Sequence, residues 1–328
     1  MPGWISLPLM SRKFLLWFAF ILTISVGIMF YLILKGPRMR GLENLRIEST
    51  PERIARGEYL ANNLLSCVHC HTERDHNDYS LPAVGPAFAG GDCLDETWGF
   101  PGKMCMPNIT SDAETGIGAW TDDEVLRAIR EGISRDGIAL FPMMPFDAYR
   151  QLPDEDAYAL IAYLRTIPAV SRSTPATVVR FPMSVIVKLI PTPLEEEVPP
   201  VPRDNEVAYG EHLATIASCK GCHSEDVDDL AGGQGFPLPS GPVTSPNITP
   251  DPTGVLPEEY EGFVRLFRQF APENEGSTAV DPGHLTVMPW RALAGLTDED
   301  LHALFAYLKT VRPVENAVQV YAADPEVK

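Results

Sequence analysis

The chain has 328 residues, 45% of them hydrophobic and 21% charged, which excludes wholesale disorder and suits about two domains. A formal net charge of −18 counts against a nucleic-acid partner, because phosphate binding needs a basic face. Six cysteines are too few for a disulfide-dense scaffold.

The charge is unevenly placed. Residues 1–46 hold six Lys/Arg against one acid, so a basic apolar end leads a strongly acidic body. Phe14 to Leu34 carries no charge in 21 residues. As a helix it spans about 31 Å, close to the ~30 Å hydrocarbon thickness of a bilayer. The competing reading is a cleaved signal peptide. The run is longer than a usual signal core, and no small-residue cleavage site ends it. The segment 1–48 therefore reads as an uncleaved anchor with a transmembrane helix at about 14–34. Arg12 and Lys13 before it, and Lys35, Arg38 and Arg40 after it, leave its orientation open on charge alone.

Beyond the anchor the chain repeats itself. Arg56-Gly57-Glu58-Tyr59-Leu60-Ala61 matches Tyr209-Gly210-Glu211-His212-Leu213-Ala214. Cys67-Val68-His69-Cys70-His71 matches Cys219-Lys220-Gly221-Cys222-His223. Pro107-Asn108-Ile109-Thr110 matches Pro246-Asn247-Ile248-Thr249, and Met144-Pro145-Phe146 matches Met288-Pro289-Trp290. Ala159 to Leu164 matches Ala303 to Leu308. These landmarks keep the same order, which predicts homologous domains at 49–170 and 203–318 and a tail at 319–328.

Helices dominate the expected local structure. The stretches 51–65 and 205–217 read as helices leading into the Cys pairs. Thr121-Asp122-Asp123-Glu124 is a capping box, and Gly132 stands where that helix would stop. Thr297 caps a last helix running to about Thr310, with Leu301, Leu304, Phe305 and Leu308 as its apolar stripe. Pro153 opens the equivalent helix in the first copy. No strand pattern of any length is evident. The linker 171–202 holds seven prolines, which favour extended chain. Within it, Val178 to Ile190 is apolar enough to lie as a short helix on a domain or a membrane surface, and too short to span one.

Cys-x-x-Cys-His at 67–71 and at 219–223 is the pattern of covalent haem c attachment. Two thiols a helical turn apart suit two vinyl groups of one haem, and the adjacent His71 or His223 suits the iron. A zinc ribbon needs both Cys pairs in one small module, and a thioredoxin-like pair needs a β-α-β context. Neither holds here. Met144 and Met288, matched late in the copies, are the candidate second axial ligands. Met143, His284 and His302 are rivals, while His69 and His76 are expected on the surface. Cys93 and Cys105 lie where the first copy is longer. They read as a disulfide, worth ~3 kcal/mol in the chain-entropy model, or as two free thiols.

Pro107 to Thr110, Gly116-Ile117-Gly118-Ala119-Trp120-Thr121, Met144-Pro145-Phe146 and Ala159 to Leu164 resemble the cytochrome c subunit of bacterial membrane-bound alcohol, aldehyde and gluconate dehydrogenases. The resemblance covers both copies. It implies a helical cytochrome c fold for each copy, which with the anchor read above gives an all-α protein of one N-terminal transmembrane helix and two tandem cytochrome c domains. It also implies two His/Met haem c groups and electron transfer on the periplasmic side of the cytoplasmic membrane. The chain differs in having two haem motifs where such subunits commonly have three, in its anchor, and in the Cys93–Cys105 insertion. The leading expectation is a dihaem electron carrier without catalytic residues, serving redox partners such as a dehydrogenase subunit or a terminal oxidase. A dihaem peroxidase would need one open iron position, and the recurring Met-Pro opposes it. A haem-bearing assembly subunit of a larger respiratory complex is the third class. The acidic body either steers a basic partner or only keeps the protein soluble.

Overall fold

The computed structural model describes residues 12–225, 230–238, 240–272 and 285–321. Helix α1 (Arg12–Leu34) follows the uncharged run, and its described side chains are exposed. The span Arg12–Tyr31 is long and apolar enough to cross a membrane.

The first copy begins with α2 (Pro51–Tyr59), capped by Thr50 and continued by a π-helical turn at Leu60–Leu64. A short α3 (Cys67–Cys70) follows, then strands β1 (Cys93–Leu94) and β2 (Gly102–Cys105). Next come α4 (Asp122–Glu131), α5 (Phe146–Tyr149) and α6 (Asp154–Leu164). The linker supplies β3 (Val178–Val179) and α7 (Met183–Ile186), prolonged by a 3-10 turn at Val187–Leu189. The second copy holds α8 (Glu206–Ile216), α9 (Cys219–His223) and a hairpin of β4 (Gly235–Leu238) and β5 (Gly241–Thr244). It closes with α10 (Tyr260–Arg268), α11 (Trp290–Leu293) and α12 (Asp298–Leu308).

The expectation of an all-α chain needs correction. Among the described residues five short strands form two antiparallel sheets, β1-β2-β3 and β4-β5. Each strand has two to four residues, too few for alternation to register in sequence. The capping box at Thr121 forms, with Gly132 at φ 69° ending α4.

Within each copy the first and last helices cross at a glycine. A Cβ on Gly57 would stand 1.9 Å from the Ala159 carbonyl oxygen, and one on Gly210 equally 1.9 Å from that of Ala303. The missing side chains let α2 meet α6 and α8 meet α12 backbone to backbone. The landmark glycines are therefore packing residues.

The two copies share a continuous core. Leu60, Leu64, Leu160 and Ile161 belong to one cluster with Leu213, Ile216, Leu296 and Leu301. Polar groups stitch the same boundary. The Tyr59 hydroxyl donates to Asp300, whose other oxygen accepts from Tyr209 at 2.9 Å. Asn63 donates to the Ala292 carbonyl at 3.0 Å, and Arg291 to Ser80 at 2.9 Å. Tyr79 stacks on Phe270, which stacks on Trp290.

The chain leaving α1 is fastened to the first copy. Arg40 pairs with Asp123 and with Glu131 of α4, the latter at 2.7 Å. The backbone amides of Glu43 and Ile47 donate to Asp123 and Asp122. The acids of the α4 first turn thus hold the anchor segment as well as complementing the helix dipole.

Candidate functional site

Each Cys-x-x-Cys-His motif forms a helical turn entered through a serine in the left-handed region. Ser66 has φ 53° and Ser218 φ 57°. This conformation is costly for a residue with a Cβ, and it recurs at the same step of both copies. It breaks the preceding helix and redirects the chain into α3 or α9. Cys67, Cys70, Cys219 and Cys222 carry no disulfide. Burial pushes the Cys67 and Cys219 thiols up to about 12, which keeps them as neutral thiols. Burial also raises the Cys70 thiol, against the charge of Arg74, and Cys222 adds to the rise.

The histidines are oriented identically. His71 Nδ1 lies 2.7 Å from the Pro107 carbonyl oxygen, and His223 Nδ1 lies 2.9 Å from that of Pro246. A carbonyl can only accept, so Nδ1 carries the proton and Nε2 is left with its lone pair. Burial lowers both imidazole pKa values and keeps the rings neutral, the form that binds a metal. The residues present therefore fit a c-type haem.

The Pro-Asn-Ile-Thr landmarks acquire a role here. Asn108 Oδ1 accepts from the Thr110 amide and hydroxyl, and its Nδ2 donates to the Val170 carbonyl at 2.8 Å. Asn247 repeats this with Thr249 and Val314. Each asparagine pins the loop whose proline carbonyl holds the histidine. The repeat marked these residues, but nothing in sequence said what they bind.

A second matched turn faces the core. Pro145 (φ −80°, ψ 57°) and Pro289 (φ −79°, ψ 58°) have the same conformation. The Met144 carbonyl accepts from Phe146 N at 2.7 Å, and that of Met288 from Trp290 N at 2.8 Å. These are inverse γ-turns with proline at the centre. Met144 and Met288 both pack against the core cluster, while Met143 is 46% exposed. The buried indole N–H of Trp290 has no acceptor among the described residues, and a haem propionate is an acceptor of the right kind.

The remaining candidates lie apart. His302 is exposed on α12 and paired with Glu206. His284 lies outside the described residues. His76 is half-exposed beside Asp92. His69, expected on the surface, is half-buried, and burial pushes its pKa down to about 3. Arg74, which sequence reading passed over, donates to the Val68, His69 and Leu81 carbonyls and so caps the first motif. Cys93 and Cys105 form a disulfide across the β1–β2 pair.

Comparison with known proteins follows the same two regions. A family model described as cytochrome c matches residues 54–168 and 207–312. The chain is 30% identical over 290 residues to the cytochrome c subunit of a quinone-linked alcohol dehydrogenase of Gluconacetobacter polyoxogenes, covering 83% of this chain and 58% of that protein. It is 30% identical over 294 residues to a fructose dehydrogenase cytochrome subunit of Gluconobacter japonicus, covering 85% of this chain and 57% of that protein. A diheme cytochrome c-type protein of Cereibacter sphaeroides is 28% identical over 262 residues, with 76% of this chain and 83% of that one covered. The chain thus spans less than two thirds of the two dehydrogenase subunits.

Proposed function

Since the chain belongs to the cytochrome c family, we propose that it is a membrane-anchored dihaem cytochrome passing electrons from a dehydrogenase or respiratory complex to a downstream acceptor. Two covalently bound haem c groups supply reversible one-electron chemistry. Cys67 and Cys70 would hold one through thioethers, and Cys219 and Cys222 the other. His71 and His223 would ligate the irons through Nε2, with Met144 and Met288 opposite. The chain is an electron carrier and does no substrate chemistry of its own. Its residues attach, ligate, exclude water and fix the two sites relative to each other. We place the two domains in the periplasm and α1 in the cytoplasmic membrane.

The matched His–carbonyl pairs carry this reading, since they prepare both imidazoles identically for a metal. The denatured, reduced protein should show two thioether-linked haems per chain. Cys67→Ala/Cys70→Ala should show one, and two surviving haems would refute the attachment sites. For the partner, membranes from cells lacking the chain should lose oxygen uptake on an alcohol or fructose. Unchanged uptake on both would exclude those dehydrogenases as donors.

A further inference from the structure

The apolar segment of the linker is built to face outward. Phe181 is 62% exposed, Leu189 55%, Ile186 44% and Ile190 36%, while Val187 between them is buried. The segment thus buries Val187, half-buries Met183 and Val185, and presents four large apolar side chains to its surroundings. Both ends are fastened. β3 pairs with β2 of the disulfide hairpin, and Arg180 N donates to the Pro101 carbonyl at 2.8 Å. Past the segment, Arg150 holds the Thr192 and Pro193 carbonyls at 3.1 Å each. An apolar patch held rigidly in water costs free energy unless something covers it.

The structure indicates what covers it. Val198 and Asp154 exchange hydrogen bonds, Asp154 pairs with Arg130 of α4 at 2.6 Å, and the neighbouring Glu131 binds Arg40. The linker segment therefore ends on the part of α4 that receives the chain leaving α1. Only residues 35–39 separate α1 from Arg40, a reach of about 20 Å fully extended. That leash keeps this face of the first copy at the bilayer. Residues 178–190 contain Arg180, which pairs with Glu96, and Lys188 and no acid of their own, whereas Glu195, Glu196 and Glu197 follow beyond the segment. Lipid headgroups tolerate the two cations and would oppose acids.

We propose that Phe181, Ile186, Leu189 and Ile190 seat in the interfacial layer of the same leaflet that α1 leaves, giving the protein a second, monotopic membrane contact. The occupant is the lipid surface itself. The inference rests on α1 as a membrane span, and the test separates the two.

The full-length holoprotein is reconstituted into phosphatidylethanolamine/phosphatidylglycerol vesicles that carry a photoactivatable diazirine lipid. After illumination the labelled peptides are mapped by mass spectrometry. Label is expected in 14–34 and in 181–190, and not around Val255, an apolar residue of the second copy that is also exposed. Phe181→Ser/Leu189→Ser should lower label in the linker peptide about tenfold, with haem content and 14–34 labelling unchanged. Label in 14–34 without label in 181–190 overturns the proposal and leaves the anchor standing; the patch then faces a protein or water. No label in either overturns both. Equal label around Val255 overturns it too, since exposure alone would then explain the signal.

Discussion

Replacing Gly210 by alanine tests whether the helix crossing sets the position of the second motif. An added Cβ would stand 1.9 Å from the Ala303 carbonyl oxygen, inside any real contact distance. The obstacle is backbone and cannot rotate away, so α8 and α12 must part by about 1 Å. A gap of that size forfeits a quarter to a half of the dispersion energy of the facing atoms. Overpacking of this kind costs about 1–3 kcal/mol. Alanine recovers about 1 kcal/mol of helix propensity over glycine, so the steric loss must exceed that to be seen. The net expectation is a destabilisation of about 1 kcal/mol, and at most about 2, read as a lower urea midpoint at unchanged slope. Because α8 runs directly toward Ser218 and Cys219, the visible spectrum of the second haem should shift as well. Gly235→Ala is the control, since nothing lies within 4 Å of its added Cβ. A Gly210→Ala protein as stable as the parent, with an unshifted spectrum, would refute the reasoning.

Tyr59→Phe removes a hydrogen bond to the buried Asp300 carboxylate across the domain boundary and should cost about 1.5–3 kcal/mol. Chemical denaturation should then approach two separate transitions, whereas a single transition at the parental midpoint would exclude a coupling role. Met288→Ala should let the reduced protein bind carbon monoxide at one haem and lower that haem's potential in a redox titration; a variant that refuses the gas has another ligand. Asp112 is held below the ordinary 3.8 by Thr115, first through its amide, and Asp251 by Thr253, first through its hydroxyl. A depressed carboxylate stabilises the fold above its unfolded pKa and loses that contribution as pH falls through the folded one. Urea midpoints measured from about pH 5 to about pH 3 should therefore fall less steeply in Asp112→Asn/Asp251→Asn than in the parent.

Much of this was legible in sequence because it is local or repeated. A capping box such as Thr121–Glu124 needs only four residues to declare itself, and α4 starts where it says. The two Cys-x-x-Cys-His motifs are contiguous, so their spacing is their chemistry. The strands were missed because Cys93–Cys105 and Gly235–Thr244 are too short to show a period. The π-helical end of α2 likewise leaves no compositional trace. The Pro107 and Pro246 carbonyls were visible only as landmarks, since a backbone acceptor carries no signature of its donor. The continuous core could not be anticipated either. Leu60 and Leu213 each read as the buried face of one helix, and nothing local says that both enter one cluster.

The boundary between the copies also bears on how far duplication has bound them together. In the first copy Arg56 forms an ion pair with Asp156 at 2.7 Å, so that carboxylate is neutralised by its own domain. At the matching place the second copy has Tyr209 facing Asp300, a donor without a charge. Asp300 takes its second donor from Tyr59 of the other copy, while His212, which stands at the place of Tyr59, lies near Asp156. The exchange is reciprocal in position and unequal in charge. A chain severed in the linker would leave the buried Asp300 short of one of its two tyrosine donors. The second copy thus draws on the first to satisfy a buried carboxylate, whereas the first satisfies the matching one from within itself.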